Sequence, residues 1–263
     1  MKAGVPVTKM HGTLNDFLII DERERSAIDV REFALRYCDR RAGIGADGLL
    51  VIETSAVADA KMRIINSDGT EAETCGNGLR CVARYLNENR EGHEFTIETL
   101  AGVSAARILA SEPEYSVRVS MGVPVLEERP LPFRNAAFVS TGNPHVVIFA
   151  DSLAQIDLES AANRLAGWPG FESGSNVHAV VARANSLLVR HWERGVGLTQ
   201  ACGSGAVACA AAAQARGLAT LPADVQVPGG SLRVEWDGRG PSFLTGPAER
   251  VCDARVEASF ARR

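Results

Sequence analysis

The sequence predicts an α/β protein of the α+β type, built as two pseudo-symmetric domains. Thr74-Cys75-Gly76-Asn77-Gly78 and Ala201-Cys202-Gly203-Ser204-Gly205 are two copies of one pattern, in which a cysteine precedes a Gly-x-Gly turn that opens onto an Ala- and Leu-rich helical run. Other residues keep the same offset: Asn66 lies nine residues before Cys75, and Glu193 nine before Cys202. Asn15 before the apolar run 17–20 answers, one residue out of step, to Asn143 before the run 146–149. Short β-rich segments alternate with helical ones in the same order in both halves.

In order, residues 17–20 predict a strand, and 30–41 carry Phe33, Ala34, Tyr37 and Cys38 at the spacing of an amphipathic helix. The turn-rich run from Arg41 to Gly48 leads into a strand at 49–53. A strand at 61–66 follows, and Ser67-Asp68-Gly69-Thr70 is a loop that delivers Cys75 to its helix. Segments 94–98, 103–109 and 115–121 predict an antiparallel meander. The Gly122-Val123-Pro124 break separates an N-terminal domain, 1–122, from a C-terminal domain, 123–263. There the order repeats: strands at 137–140 and 145–149, a helix at 158–166, strands at 176–183 and 187–193, and a loop that brings Cys202 to its helix. Strands at 225–227, 232–236 and 250–258 complete the chain.

Composition narrows the class. With 263 residues, 46% apolar and 23% charged, the chain is globular and large enough to bury a substantial core. A net charge of −4 argues against nucleic acid as a partner. Residues 1–10 lack the apolar core of a signal peptide and no run approaches a membrane span, so the expected location is the cytoplasm, with no membrane partner. In that reducing compartment the six cysteines are expected to be free thiols, and no Cys-x-x-Cys pair marks a zinc site.

The chemistry centres on the two repeated thiols. A helix N-terminus offers unpaired N–H groups and a positive dipole end, which favour either a thiolate or a bound carboxylate. Two such groups on opposite sides of one carbon are what inversion of a stereocentre needs: one removes the α-proton, the other returns a proton to the opposite face. If the repeats face each other across a domain interface, they flank one small anionic ligand. Cys38, Cys81, Cys209 and Cys252 have no such turn and read as ordinary core residues. The P-loop and dinucleotide spacings are absent.

Six motifs in order resemble the diaminopimelate epimerase family over nearly the whole chain. They are Lys9-Met10-His11-Gly12 with Asn15-Asp16-Phe17; Arg40-Arg41-x-Gly43-Ile44-Gly45-Ala46-Asp47; Asn66-x-Asp68-Gly69 with Cys75-Gly76-Asn77-Gly78-x-Arg80; Gly142-Asn143-Pro144-His145; Asn176-Val177; and Glu193-Arg194-Gly195 with the second cysteine turn. The resemblance implies that each domain is a mixed, mostly antiparallel sheet around a central helix, with the C-terminal tail strand returning to the first domain. It implies a PLP-independent epimerase, using neither cofactor nor metal, that interconverts LL- and meso-diaminopimelate on the route to lysine and peptidoglycan. Carried over residue by residue, Cys75 and Cys202 are the acid–base pair. Gly76, Asn77, Gly203 and Ser204, with Asn15, hold the carboxylate of the reacting centre. Asn66, Asn143, Asn176, Glu193 and Arg194 grip the distal end. Apart from the resemblance, His11 and His145, though within motifs, are read as structural.

Three positions depart from the family pattern. Leu14 stands where Gly usually precedes the first Asn, Leu198 where Glu is usual, and Ala179 where an aromatic is common. They bear on pocket shape and substrate preference. Two other readings remain open at this level: a racemase of the same fold acting on another amino acid such as histidine, and a non-catalytic amino-acid-binding module. A redox pair made of Cys75 and Cys202 is disfavoured by the missing Cys-x-x-Cys motif. A homodimer is one assembly open to the chain, and the sequence does not fix the oligomeric state.

Overall fold

The computed structural model describes residues 4–23, 28–183 and 185–257. The chain begins with β1 (Val5–Gly12), β2 (Asn15–Asp21), α1 (Val30–Tyr37), β3 (Gly48–Glu53), β4 (Ala60–Asn66), the short β5 (Glu71–Ala72), α2 (Gly76–Asn89), β6 (Glu94–Thr99), β7 (Gly102–Ala110) and β8 (Ser116–Ser120). It continues through β9 (Val125–Glu127), β10 (Ala136–Ser140), β11 (Pro144–Phe149), α3 (Leu158–Ala166), β12 (Asn176–Arg183), β13 (Ser186–Glu193), β14 (Gly197–Thr199) and α4 (Gly203–Ala215). The last strands are β15 (Ala223–Val227), β16 (Gly230–Glu235), β17 (Phe243–Pro247) and β18 (Glu249–Val256). Two compact units result: residues 4–119 with 247–257, and residues 120–246. The division falls at Val119/Ser120, a few residues before the Gly122-Val123-Pro124 break.

The two units share one topology. In the first, β2 and β3 are parallel and joined through α1, while β4 and β6 are parallel and joined through α2. In the second, β11 and β12 are parallel and joined through α3, and β13 and β15 through α4. Parallel neighbours need a long crossover, usually a helix, which is why each cysteine turn ends in one. Most other pairs are antiparallel, including β3–β4 and β6–β7 in the first unit and β12–β13 and β15–β16 in the second. Each sheet is therefore mixed and mostly antiparallel. β9, which follows β8 in the chain, pairs with β10, and β18, which follows β17, pairs with β1.

The central strands are covered on both faces. Leu49 and Val51 of β3 pack in one cluster with Phe33, Ala34 and Tyr37 of α1, while Leu50 of the same strand meets α2 at Gly78. α4 is buried all round, with every residue from Ala206 to Ala213 at most 1% exposed, so it is a core helix rather than an amphipathic one. Ala179 lies in the cluster under α3 with Phe138 and Leu165. It therefore fills the core on the face of β12 opposite His178 and does not line a pocket.

The helix expected over 30–41 ends at Tyr37. Asp39 Oδ1 accepts from the Arg41 and Ala42 amides at 2.8 and 2.6 Å, and the Ile44 and Gly45 amides close on the Tyr37 carbonyl. This Asx turn competes with further helix. The expected strand ends at 121 and 236 fall one residue beyond the observed ends of β8 and β16, and the expected end at 258 lies outside the described residues. β1, with Pro6 inside it, and β17, ending in Gly-Pro, escape a pattern search because those residues read as breaks. No helix among the described residues is long and apolar enough to cross a membrane.

Candidate active site

In the first unit, Cys75 is the N-cap of α2, with extended backbone (φ −151°, ψ 112°) and its Sγ accepting from the Gly78 amide at 3.4 Å. A thiol thus fills the place usually taken by Ser, Thr, Asp or Asn. Asn15, at the start of β2, brings Oδ1 to 3.8 Å from Sγ and accepts from Asn77 Nδ2 at 3.0 Å. Its Nδ2 donates to Asp47 Oδ2 at 2.8 Å, and Asp47 is in turn held by Arg40 at 2.8 Å. Arg40 and Lys9 also flank Asp16; burial pushes that carboxyl up, but the two cations outweigh it and hold it below its ordinary value. Asn15, Cys75, Gly76 and Asn77 therefore form one cluster. Asn66 does not join their hydrogen bonds: it is exposed, and its Nδ2 donates to Thr70 Oγ1 at 2.9 Å within its own turn.

Behind this cluster lies Arg80, 0% exposed, whose guanidinium, among the described residues, bonds uncharged groups: Asn77 Oδ1 (2.9 Å), Thr13 Oγ1 (3.3 Å), Gly76 O (3.3 Å) and Pro247 O (3.0 Å). Burial lowers it to about 10. The sequence places Arg80 in a motif but assigns it no role. The available signal was a lone cation within the apolar run from Leu79 to Ala83.

In the second unit, Cys202 caps α4 and is 4% exposed, with Ser204 Oγ at 3.5 Å from Sγ. A helix end alone favours a thiolate. Here burial drives the thiol well above its ordinary value and the Glu193 carboxylate pushes it further, with Ser204 and the Gly205 amide giving back only part. Glu193 thus bears on the thiol, beyond the distal role the resemblance implies. Gly205 has no room for a side chain: a Cβ would lie 2.6 Å from His178 Cε1 and 3.1 Å from Cys202 Sγ.

Asn176 ties two strand ends together, donating from Nδ2 to the Pro144 carbonyl and accepting at Oδ1 from the Arg194 amide, both at 3.0 Å. The exposed Arg194 guanidinium makes one bond to the Ser173 carbonyl at 3.2 Å. Arg194 and Asn143 both line a cleft of about 260 Å³. Asn143 Oδ1 lies 2.8 Å from His145 Nε2 and accepts from Thr141 Oγ1 at 3.0 Å. Asn143, Asn176 and Arg194 are thereby gathered at one end of the unit. Leu198 is exposed in β14, and Leu14 is exposed at the tip of the β1–β2 hairpin.

These features can be compared with known proteins. Residues 7–127 and 137–251 match the family model described as diaminopimelate epimerase. The chain is 42% identical to the diaminopimelate epimerase of Carboxydothermus hydrogenoformans, across 92% of this chain and 96% of that protein. It is 41% identical to that of Desulforudis audaxviator, across 94% and 98%. Among solved structures, a Bacillus anthracis phenazine biosynthesis protein of the PhzF family superposes with a TM-score of 0.75 at 17% identity, covering 97% of this chain and 99% of that one. A probable proline racemase from Agrobacterium radiobacter gives 0.70 at 15%, covering 98% and 94%. At such identities these two show a shared fold alone. The sequence matches go further, and the chain belongs to the diaminopimelate epimerase family.

Proposed function

We propose that this protein is a cofactor-independent epimerase that interconverts LL- and meso-diaminopimelate, with Cys75 and Cys202 as its acid–base pair. The observation that carries this reading is the equivalence of the two thiols: each is the N-cap of the crossover helix at the same point of a repeated topology. The names of the relatives supply the substrate. The product would serve lysine and peptidoglycan synthesis.

In the proposed reaction one thiolate takes the α-proton and becomes a thiol, leaving a carbanion whose charge spreads into the α-carboxylate. The other thiol gives its proton to the opposite face and becomes a thiolate, so the pair ends with its protonation exchanged. The first-turn amides of α2 and α4, at Gly76, Asn77, Gly203 and Ser204, are suited to hold that carboxylate as its charge grows. Asn15 supports the first of these ends through Asn77. Asn66, Asn143, Asn176 and Arg194 hold the distal amino-acid end, where the Arg194 guanidinium suits a carboxylate.

The surroundings of the second thiol bear on its resting state. Burial and Glu193 favour a protonated Cys202 at rest. Glu193 stands where it can receive the Cys202 proton when that cysteine acts as the base. The test is turnover of LL-diaminopimelate in deuterium oxide. Formation of the meso isomer with deuterium at one α-carbon is expected; no isomer and no deuterium would sink the proposal.

A further inference from the structure

Arg80 and Asp47 stand at opposite ends of one line of side chains that passes the first cysteine. Asn77 has one end of its carboxamide 2.9 Å from Arg80 Nη2 and the other 3.0 Å from Asn15. Asn15 turns one end of its own carboxamide toward Asn77 and, at 3.8 Å, toward the Cys75 sulfur; the other end lies 2.8 Å from Asp47 Oδ2. The groups at the two ends of the line have one polarity each, and that fixes both amides. A guanidinium can only donate, so the end of Asn77 that meets Arg80 is its oxygen. Asp47, ion-paired with Arg40 at 2.8 Å and facing the Asp16 amide at 3.2 Å, is a carboxylate that can only accept, so the end of Asn15 that meets it is its NH₂. The two assignments agree in the middle, where Asn77 Nδ2 donates to Asn15 Oδ1. Turning over Asn77 would set donor against donor at 2.9 Å, and turning over Asn15 would set acceptor against acceptor at 2.8 Å.

The consequence falls on Cys75. Asn15 Oδ1 can accept from an S–H but has nothing to give a thiolate, so its contact favours the protonated sulfur. The Gly78 amide, 3.4 Å from Sγ, and the helix end favour the thiolate. Charged and titratable groups around this sulfur in the first unit include Arg80 and Cys81 on its own helix and, beyond Asn15, Asp16, Asp47 and Arg40. A thiol that gives and takes a proton must occupy both states in turn. The helix end serves one of them, and the Asn15 oxygen serves the other.

We propose that Arg80 and Asp47 are positioning residues: from opposite ends they fix Asn77 and Asn15 head to tail, so that an acceptor oxygen, and not an NH₂, faces Cys75 and serves its protonated form. The use of that proton in turnover rests on the proposed function, while the amide pattern and the titration of Cys75 do not. The pattern is read by neutron diffraction from crystals of the full chain exchanged into deuterium oxide. Deuterons on the Asn15 atom that faces Asp47 and on the Asn77 atom that faces Asn15 are expected. Deuterons on the Asn15 atom that faces Cys75, or on the Asn77 atom that faces Arg80, overturn the proposal whether or not the protein turns over diaminopimelate. The effect on the thiol is read from D47L and D47N, which both remove the charge of an exposed residue, while only the asparagine can still accept from Asn15. The pH at which Cys75 is half-maximally alkylated, followed by peptide mass spectrometry, should lie about half a pH unit or more lower in D47L than in D47N, as expected when one orienting hydrogen bond is lost and Asn15 is free to turn its NH₂ to the sulfur. An equal midpoint in the two folded variants, or a higher one in D47L, overturns the link to Cys75.

Discussion

Arg80 Nη2 donates to Asn77 Oδ1 at 2.9 Å from a site with no solvent access, and Asn77 passes the contact on to Asn15 at 3.0 Å. Removing the guanidinium takes a hydrogen-bond donor away from Asn77, Thr13 and Pro247 in a largely buried setting, at about 1–3 kcal/mol each. Arg80→Ala is therefore expected to lower the unfolding free energy by about 3 kcal/mol or more, read from urea denaturation. A loss under about 1 kcal/mol would show that the network adds little.

In the proposed reaction, replacing either repeated cysteine removes one of two proton transfers, each worth about 10²–10⁴-fold. Cys75→Ala and Cys202→Ala should each reduce epimerisation at least that far while circular dichroism stays that of the parent. Full activity in either variant would take that thiol out of the mechanism.

Glu193 raises the Cys202 thiol, so taking its charge away must lower it. With Glu193→Gln, the pH at which Cys202 is half-maximally alkylated, followed by peptide mass spectrometry, should move down even as turnover falls. A midpoint that stays put or rises would mean that the carboxylate does not act on the thiol.

His145 and His191 are both held down to about 3 by burial, against an ordinary value near 6.5. The unfolded chain therefore binds more protons than the native one between pH 6.5 and about 3. Their contribution is complete above pH 6.5 and is lost as pH falls toward 3, by up to about 1.4 kcal/mol per pH unit for each histidine. Melting temperature should begin to fall below pH 6.5, before ordinary carboxylates titrate, and His191→Leu should flatten that slope. A flat profile from pH 7 to 5 in the parent protein would contradict burial of the two rings in neutral form.

Thr13 and Leu14 form the two-residue turn between β1 and β2, where Gly12 pairs with Asn15, and both have positive φ, 53° and 63°. Such a turn favours Gly or Asn. Left-handed backbone costs Leu14 about 1–2 kcal/mol, more than the roughly 0.5–1 kcal/mol of entropy that glycine gives up. Leu14→Gly should stabilise the protein by about 0.5–1 kcal/mol in urea titration; destabilisation would mean that the exposed leucine makes a contact of its own.

The sequence determined what depends on neighbours along the chain. The Gly-x-Gly turns with the Ala- and Leu-rich runs after them marked Cys75 and Cys202 and the helices that span Gly76–Asn89 and Gly203–Ala215, and the pattern at 158–166 marked a third, because such signals are local. Tertiary structure alone decided the rest. Arg80 is a buried cation because its donors meet Thr13 and Pro247, far away in the chain; Glu193 acts on Cys202 across a hairpin; and His145, His178 and His191 meet from three different strands. Desolvation and hydrogen-bond direction are properties of packed surroundings, and they set the protonation of groups whose identity and spacing were already plain in the sequence.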